Sequence, residues 1–395
     1  MIILMLSLRI FMSKSIGFIL EFFPPNNLSS ATLPYQIAKH FLEKGHKLTI
    51  LTSKEENDQA FKSQFMSNFK NAKLIRFKYF RSKKNKISRV FSMLSFFIKT
   101  IVRIYQFKNM DYVFIFSNPP INSLIGYLIN KLYHVKLIFV TYDFYPDIAY
   151  FTNQLKPTSM TYKFFESLNK ANYRGDNKIV VLSNDMKDYL TSKFNTFKDN
   201  IIVISNWYLD SNDFKTPFSY SKTIKIGYFG NLGVTQDIRT LINFLMNFKN
   251  NHMVEFNFAI HGNQVEELKS FVMVNNIKNT HFYPYLDELN YHKLLNEQNF
   301  VLVTLNKNLQ KVASPSRVYS FLIAGKPIIL TQYGESQLSK DIEKYGLGYY
   351  LNLENGFKIE KIELTKKFNF DNIRDFAIMK NDMTVSLNKY LSIIE

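Results

Sequence analysis

From Ile16 almost to the end of the chain, short and fully apolar runs alternate with stretches whose apolar residues recur every three or four positions. The first kind reads as strands buried on both faces and the second as helices with one packed side, which together predict parallel sheets covered by helices. In the first half the strand runs are IGFIL, KLTILT, KLIRFKYF, YVFIFS, VKLIFVTYD, KIVVLS and NIIVIS. In the second half they are IKIGYFG, VEFNFAIHG, THFYP, FVLVTL, KPIILT and GYYLN. Between the two sets lies Ser205 to Thr223, which is polar, poor in strand formers and holds the only Trp. It reads as an interdomain linker, so the pattern predicts two domains, 14–205 and 206–377. The last stretch, 378–395, has a helical pattern and no strand after it, and is expected to pack back onto the first domain.

Punctuation around these runs places the chemistry. In SPSRVYSFLIAGKPIIL, Ser316 is placed to cap a helix over Arg317 to Ala324, with Val318, Phe321 and Leu322 on one face. Gly325 ends it, Pro327 blocks continuation, and Ile328 to Leu330 restart as a buried strand. A cation in the first helical turn opposes the helix dipole by roughly 0.3–1 kcal/mol unless an anion offsets it, so Arg317 points to a phosphate. In KIGYFGNLGVTQDI a strand, a glycine turn and a helix follow one another, and Gly230 and Gly233 bracket Asn231 and Leu232. Glycines admit close backbone approach, and N–H groups at a helix start hold phosphates. The spacing is GxxG, without the third glycine of a dinucleotide fingerprint.

In the first half, VKLIFVTYDFYPDIAY ends a buried strand on Tyr142 and Asp143. A carboxylate at the carboxyl end of a parallel strand faces the crevice where ligands bind, and Asp143 is placed to orient or deprotonate a hydroxyl. Asp147 reads more simply as the cap of the next helix. Ser29 and Ser30 stand before the first helix, whose N–H groups could face the same crevice, and His46, between a helix and a strand, reads as structural.

Composition narrows the classes. A chain of 395 residues exceeds one ordinary core, and no run of about twenty apolar residues is free of charge, which argues against a membrane-spanning helix. There is no Cys, and the seven His are scattered, so disulfides, thiolate chemistry and zinc find no support. Residues 1–205 hold 29 cations against 13 acids, leaving nearly all of the net +18 in the first half. Arg76 to Lys108 concentrates it, with ten cations, no acid and interleaved aromatics such as Phe91, Phe96 and Phe97. That mixture points to an anionic membrane surface. Its alternatives are a solvated basic face or a nucleic-acid contact. Residues 1–11 read as an upstream extension before the strand that MSKSIGFIL opens.

The stretches FFPPNNLSSATLPYQIAKHFLEKGHKLTILT, SNPPINSL, YDFYPDIAY, KIVVLSNDM, VISNWYLD, YFGNLGVTQDIRTLI and SPSRVYSFLIAGKPII, in this order, resemble the GT-B glycosyltransferases of family 4. The chain is most similar to their L-fucosamine transferase-like branch, from bacterial surface polysaccharide synthesis. The resemblance implies two Rossmann-like domains facing a cleft. It further implies a nucleotide-sugar, of UDP type, on the second domain, a lipid-linked acceptor on the first, retention at the anomeric carbon and no metal or other cofactor. On this reading Asp143 and Arg317 are the catalytic residues, the donor is held by Gly230, Asn231, Gly233, Gly262, Tyr285, Ser316 and Ser320, and the acceptor side is Ser29, Ser30 and Tyr142. The chain departs from the family at Ser29 and Ser30, where paired glycines are usual, at Gln236, where a basic residue is usual, and at Ser320, where an acid is usual. The resulting expectation is a hexosyltransferase at the inner face of the cytoplasmic membrane, acting in capsule, O-antigen or exopolysaccharide synthesis. A nucleotide-sugar 2-epimerase of the same architecture and a non-catalytic membrane-bound scaffold are the alternatives.

Overall fold

The computed structural model describes residues 13–26, 28–54, 69–82, 85–195, 198–208, 223–284, 286–315, 317–356, 359 and 362–395. Residues 1–11, most of the linker, Lys83, Lys84, Tyr285 and Ser316 therefore lie outside the described residues, as does the cap expected of Ser316.

Seven parallel strands form the first sheet: β1 (Ser15–Ile19), β2 (Lys47–Ser53), β3 (Ala72–Phe77), β4 (Tyr112–Phe116), β5 (Lys136–Thr141), β6 (Lys178–Val181) and β7 (Ile201–Val203), in the order β3-β2-β1-β4-β5-β6-β7. The second sheet holds β8 (Ile224–Asn231), β9 (Val254–His261), β10 (Thr280–Tyr283), β11 (Phe300–Thr304), β12 (Ile328–Gln332) and β13 (Gly348–Asn352), in the order β10-β9-β8-β11-β12-β13. Each apolar run of the sequence thus supplies one strand, because strands covered on both faces need near-continuous apolar sequence. In each sheet the order reverses beside the first strand, between β1 and β4 and between β8 and β11. Such switch points open a crevice at the carboxyl ends of the strands.

Helices α1 (Ser29–Glu43), α2 (Lys86–Ile101), α3 (Asn122–Tyr133), α4 (Asp147–Phe151), α5 (Met160–Asn172) and α6 (Asn184–Phe194) cover the first sheet. The second carries α7 (Ile238–Phe248), α8 (Val265–Val274), α9 (Glu288–Asn296), α10 (Arg317–Ile323), α11 (Gln337–Tyr345) and α12 (Phe370–Asn381). The final helix α13 (Met383–Leu391) returns to the first sheet. Leu387, Tyr390 and Leu391 sit in one buried cluster with Phe18, Ile37 and Phe41, and side chains of this size contribute about 1.5–3 kcal/mol each when fully buried.

The expected boundary also shifts in one respect. Trp207, read as part of the linker, is buried in the first domain's core, where its Nε1 donates to Gln36 Oε1. It forms an edge-to-face pair with Tyr390, the ring centroids 6.3 Å apart.

Two local expectations meet their physical reasons here. Gly325, at φ +67°, ends α10, and the buried Lys326 behind it donates to the carbonyls of Asn296 and Gln298 at 2.7 and 3.1 Å. Burial lowers the Lys326 ammonium to about 7. His46 is buried against Phe41 and its Nδ1 accepts from Lys14 N at 3.2 Å, a structural role.

The segment Arg76 to Lys108 is not one continuous solvated surface. Phe77 and Phe96 are buried. Arg81 is held over the rings of Phe22 and Tyr79, and donates to Tyr79 Oη and Ser53 Oγ, both at 2.9 Å. What does face outward is a stripe along α2 of Ile87, Val90, Phe91, Leu94 and Ile98, each more than 40% exposed, with Arg89 exposed beside it.

Candidate functional site

The two domains touch through a segment the sequence did not flag. After β11 the chain makes a short turn over Leu309–Lys311, and Leu309 and Val312 insert into the first domain's core. There Phe144 N donates to Val312 O at 2.8 Å, and Asp143 forms an isolated bridge with Ala313. From the other side, Ser117 Oγ, just past β4, accepts from Tyr142 N at 3.1 Å. Asp143 is therefore held by its own sheet and by the second domain. A second bridge between domains runs from Gln337 N, at the start of α11, to the Asp185 carboxylate at 2.9 Å. The only sequence signal for these contacts was a pair of apolar residues, Leu309 and Val312, three apart in an otherwise polar stretch.

Asp143 shares a cavity of about 420 Å³ with Asn231, Thr235, Gln236 and Arg317. Its side chain is open to this cavity, yet protein on every other side desolvates the carboxyl and raises it to about 6. A carboxylate with a raised pKa is charged at neutral pH and still a competent proton acceptor, and it loses that form as the pH falls through about 6. Much of the remaining wall is apolar, with Ile148, Phe229, Leu302, Leu305 and Phe321.

Arg317 links this cavity to a second one of about 510 Å³, which Gly230, His261 and Ser320 line from the second domain, and Ser29 and Trp207 from the first. Gly230 has φ +109°, and a Cβ there would lie 1.5 Å from Arg317 Nη1, so the guanidinium rests directly on the glycine backbone. Any larger residue would both strain the turn and displace the Arg side chain. Among the described residues no carboxylate pairs with Arg317, which leaves an uncompensated cation at the junction of both cavities. Its charge adds to partial burial in lowering the pKa of His261, which lines the same cavity.

The glycine loop itself differs from the sequence reading. Gly262, at φ +127°, would place a Cβ 2.6 Å from Asn231 Oδ1, so Asn231 is packed between Gly262 and Gly233. Gly233 N donates to Gln236 Oε1 at 3.0 Å, and the start of α7 is occupied by its own acid, since Asp237 accepts from Thr240 N at 3.2 Å. The helix-start N–H groups proposed for the phosphates are thus partly spent on internal caps, and the free positive charge comes from Arg317.

Three further expectations are relocated. Ser29 and Ser30 lie inside the first turn of α1, not ahead of it, and Ser29 lines the same cavity as Gly230 and Arg317, opposite the acceptor role given to it. The helix has no side-chain cap, and Leu28, Ser29 and Leu33 from its cap and first turns line that cavity. Tyr142 stacks on Phe116 with its hydroxyl buried, and burial raises that hydroxyl well above its ordinary value, so it serves the core, not the crevice. Asp147 is no simple cap. It is buried, accepts from Tyr162 and Tyr189 Oη at 2.9 and 2.7 Å, and pairs with Lys193. Among the described residues there is no group of three or more His, Asp or Glu placed to hold a metal ion.

Comparison with known proteins agrees with this architecture. Residues 31–208 match the family described as Glycosyltransferase Family 4. The chain is 24% identical over 294 residues to the Probable glycosyltransferase WbjE of Pseudomonas aeruginosa, covering 69% of this chain and 70% of that protein. In fold it is similar to WaaG, described as a glycosyltransferase involved in lipopolysaccharide biosynthesis, with a TM-score of 0.68 at 12% identity, covering 96% of this chain and 99% of that one. It is likewise similar to HepE of Anabaena in complex with UDP, with a TM-score of 0.66 at 14% identity, covering 96% of this chain and 98% of that one. The fold is that of the GT-B glycosyltransferases.

Proposed function

We propose that this glycosyltransferase moves a sugar from a UDP-type nucleotide-sugar to a lipid-linked saccharide in bacterial surface polysaccharide synthesis, with retention at the anomeric carbon. The observation that carries the reading is Arg317, unpaired and seated on Gly230 where two cavities meet, one with Asp143 in it. The diphosphate that departs in sugar transfer gains charge in the transition state, and a cation already in place stabilises it without reorganisation. Asp143, on the other side of Arg317, is positioned to hold the acceptor hydroxyl. The apolar wall beside it suits a sugar with fewer hydroxyls or an acetyl group, such as an N-acetylated hexosamine or deoxyhexosamine. HepE, a structural neighbour, is described as a complex with UDP, and WbjE and WaaG carry glycosyltransferase names.

The deciding experiment incubates the purified chain with labelled nucleotide-sugars and extracted lipid-linked acceptors. Label appearing in the lipid fraction supports the transferase. An isomerised donor without transfer replaces it with the epimerase, and neither product leaves the scaffold.

The acceptor's lipid sets a second expectation. No helix among the described residues is long and apolar enough to cross a membrane. Helix α2 instead presents its exposed apolar stripe in the most basic part of the chain, the pattern of a helix lying in the plane of an anionic interface. The lipid contact is thus narrower than the sequence segment, and Arg81 belongs to the fold. Replacing Phe91 and Ile98 with Ser should weaken sedimentation with anionic vesicles by about tenfold or more, since each such side chain contributes about 1.5–3 kcal/mol when buried. Added salt should weaken the wild type in parallel. Equal binding to neutral and anionic vesicles, indifferent to both changes, would reduce α2 to a solvated face.

A further inference from the structure

The segment after β11 ties three parts of the molecule together. At its base, Asn306 N donates to Thr235 O at 3.1 Å, and Asn306 Nδ2 donates to Val234 O at 2.7 Å and Gln236 O at 3.1 Å, which fastens it to the loop that follows Gly233. Its middle carries Leu309 and Val312, 1% and 0% exposed, both packed in the first domain's core. Its end, Ala313, bridges Asp143 and leads within four residues to Arg317. We propose that Leu305 to Ala313 is a strap that completes the reaction site, with Leu309 and Val312 as the residues that position Asp143 against Arg317. The inference rests on the role given above to Asp143 and adds the means by which both domains set it.

Asp143 stands two residues beyond the end of β5, where the sheet no longer supplies a full ladder. Tyr142 N meets a side chain there, Ser117 Oγ at 3.1 Å, and Asp143 N lies 3.5 Å from the same oxygen. The next amide is held by the strap, since Phe144 N donates to Val312 O at 2.8 Å. Phe144 and Val312 are buried in one cluster, so the hydrogen bond forms only while the Val312 side chain is seated. An Asn at 312 would have to be buried at the expense of its own hydration, which favours withdrawal of the strap.

The strap also walls the cavity, because Leu305, Leu309 and Ala313 line it together with Asp143. That wall contributes to the desolvation that raises Asp143 to about 6. Withdrawal admits water to the carboxyl and returns it toward an ordinary carboxylate value of about 4. The other titratable groups among the described residues lining the cavity are Arg317, always charged, and Tyr228, raised by burial to about 12, and neither titrates in that window. Lys307 and Lys311 of the strap are exposed and do not line the cavity.

Two readouts on the full chain test the strap, amide exchange and the pH dependence of kcat/KM for transfer to the lipid-linked acceptor. In Val312→Asn the peptide containing Phe144 should lose protection, and kcat should fall by about 10²-fold, as expected for a misplacement on the order of 1 Å. The acidic limb, near pH 6 in the wild type, should move toward about 4 in that variant. Leu309→Ala should act in the same direction to a lesser degree, which keeps the test open if an Asn at 312 prevents folding. Leu309→Met, which conserves volume, should retain activity and the limb. Ile129→Ala, in the same core cluster but on α3, should lose stability without moving the limb. A folded Val312→Asn protein with wild-type turnover and limb overturns the positioning role. Lost activity with an unmoved limb, or a limb moved equally by Ile129→Ala, reduces Leu309 and Val312 to core residues and overturns it as well. Full turnover of Asp143→Asn removes the reading of Asp143 itself; loss of Phe144 protection in Val312→Asn would then leave the strap as a clasp between domains and no more.

Discussion

Arg317→Ala should lower kcat by about 10²–10³-fold, the usual consequence of removing one preorganised group from developing charge, while the protein keeps its wild-type unfolding midpoint. The two halves of that expectation come from the same geometry. The side chain is exposed and has no carboxylate partner among the described residues, so its removal takes away no ion pair and opens no buried cavity. It also relieves the modest opposition of a cation to the first turn of a helix. Its positive charge, however, stands where the Asp143 cavity and the Ser29 cavity join, which is where the bond between sugar and diphosphate would break. Gly230→Ala should reach a similar loss by another route, because its Cβ would occupy the place of Arg317 Nη1 at a backbone angle unsuited to a side chain. Combining the two changes should add little to either alone, as expected for groups that act as a unit. Steady-state kinetics on both single variants and the double variant, with unfolding followed in parallel, settle the matter. Full turnover in a folded Arg317→Ala protein would remove the diphosphate role.

What the sequence revealed, it revealed through period and punctuation. Continuous apolar runs such as YVFIFS and FVLVTL have one stable reading in a chain of this length, a strand covered on both faces, and each became one. Gly325 followed by Pro327 marked the turn from α10 to β12 because only glycine tolerates φ +67° there without cost. Gly230 and Arg317 could be paired beforehand because strand ends in a parallel sheet converge, although they lie 87 positions apart in the sequence. The misreadings arose where a residue's partner is distant and carries no periodic signal. Tyr142 ends a strand just as Asp143 does, and alternation alone cannot say that one hydroxyl faces Tyr390 from the last helix while its neighbour opens on the cleft. Trp207 looked like linker because nothing in its surroundings announces Gln36 and Tyr390. The insertion of Leu309 and Val312 into the first domain was equally silent, since two apolar residues in a loop fit a great many structures.

Asp147 is the largest of these differences, and it carries the largest expected effect on stability. The sequence offers it as a helix cap beside Pro146, a role worth about 1 kcal/mol. In the structure it is 3% exposed, and three donors from two other helices converge on it: Tyr162 of α5, and Tyr189 and Lys193 of α6. Lys193 also reaches Glu166 at 2.9 Å and Tyr162 Oη at 2.8 Å, and lies over the ring of Tyr162. Burial alone would lower the Lys193 pKa, and the hydrogen bonds and charge of Asp147 reverse that and raise it. Asp147→Ala would therefore leave a largely buried ammonium with only the more exposed Glu166 as counter-charge, and should cost about 3–5 kcal/mol, as breaking one side of a buried pair generally does. Asp147→Leu with Lys193→Met should recover much of that loss, because removing both charges removes the desolvation penalty together with the attraction. Urea unfolding of the three proteins measures the stabilities, and UDP titration of each below its transition tests whether the donor cavity, which none of these residues lines, is unaffected. A single-variant loss under about 1 kcal/mol would put Asp147 back among ordinary caps. A double variant no more stable than the single would mean that the two tyrosine hydroxyls, rather than the ammonium, are what the carboxylate is there to hold.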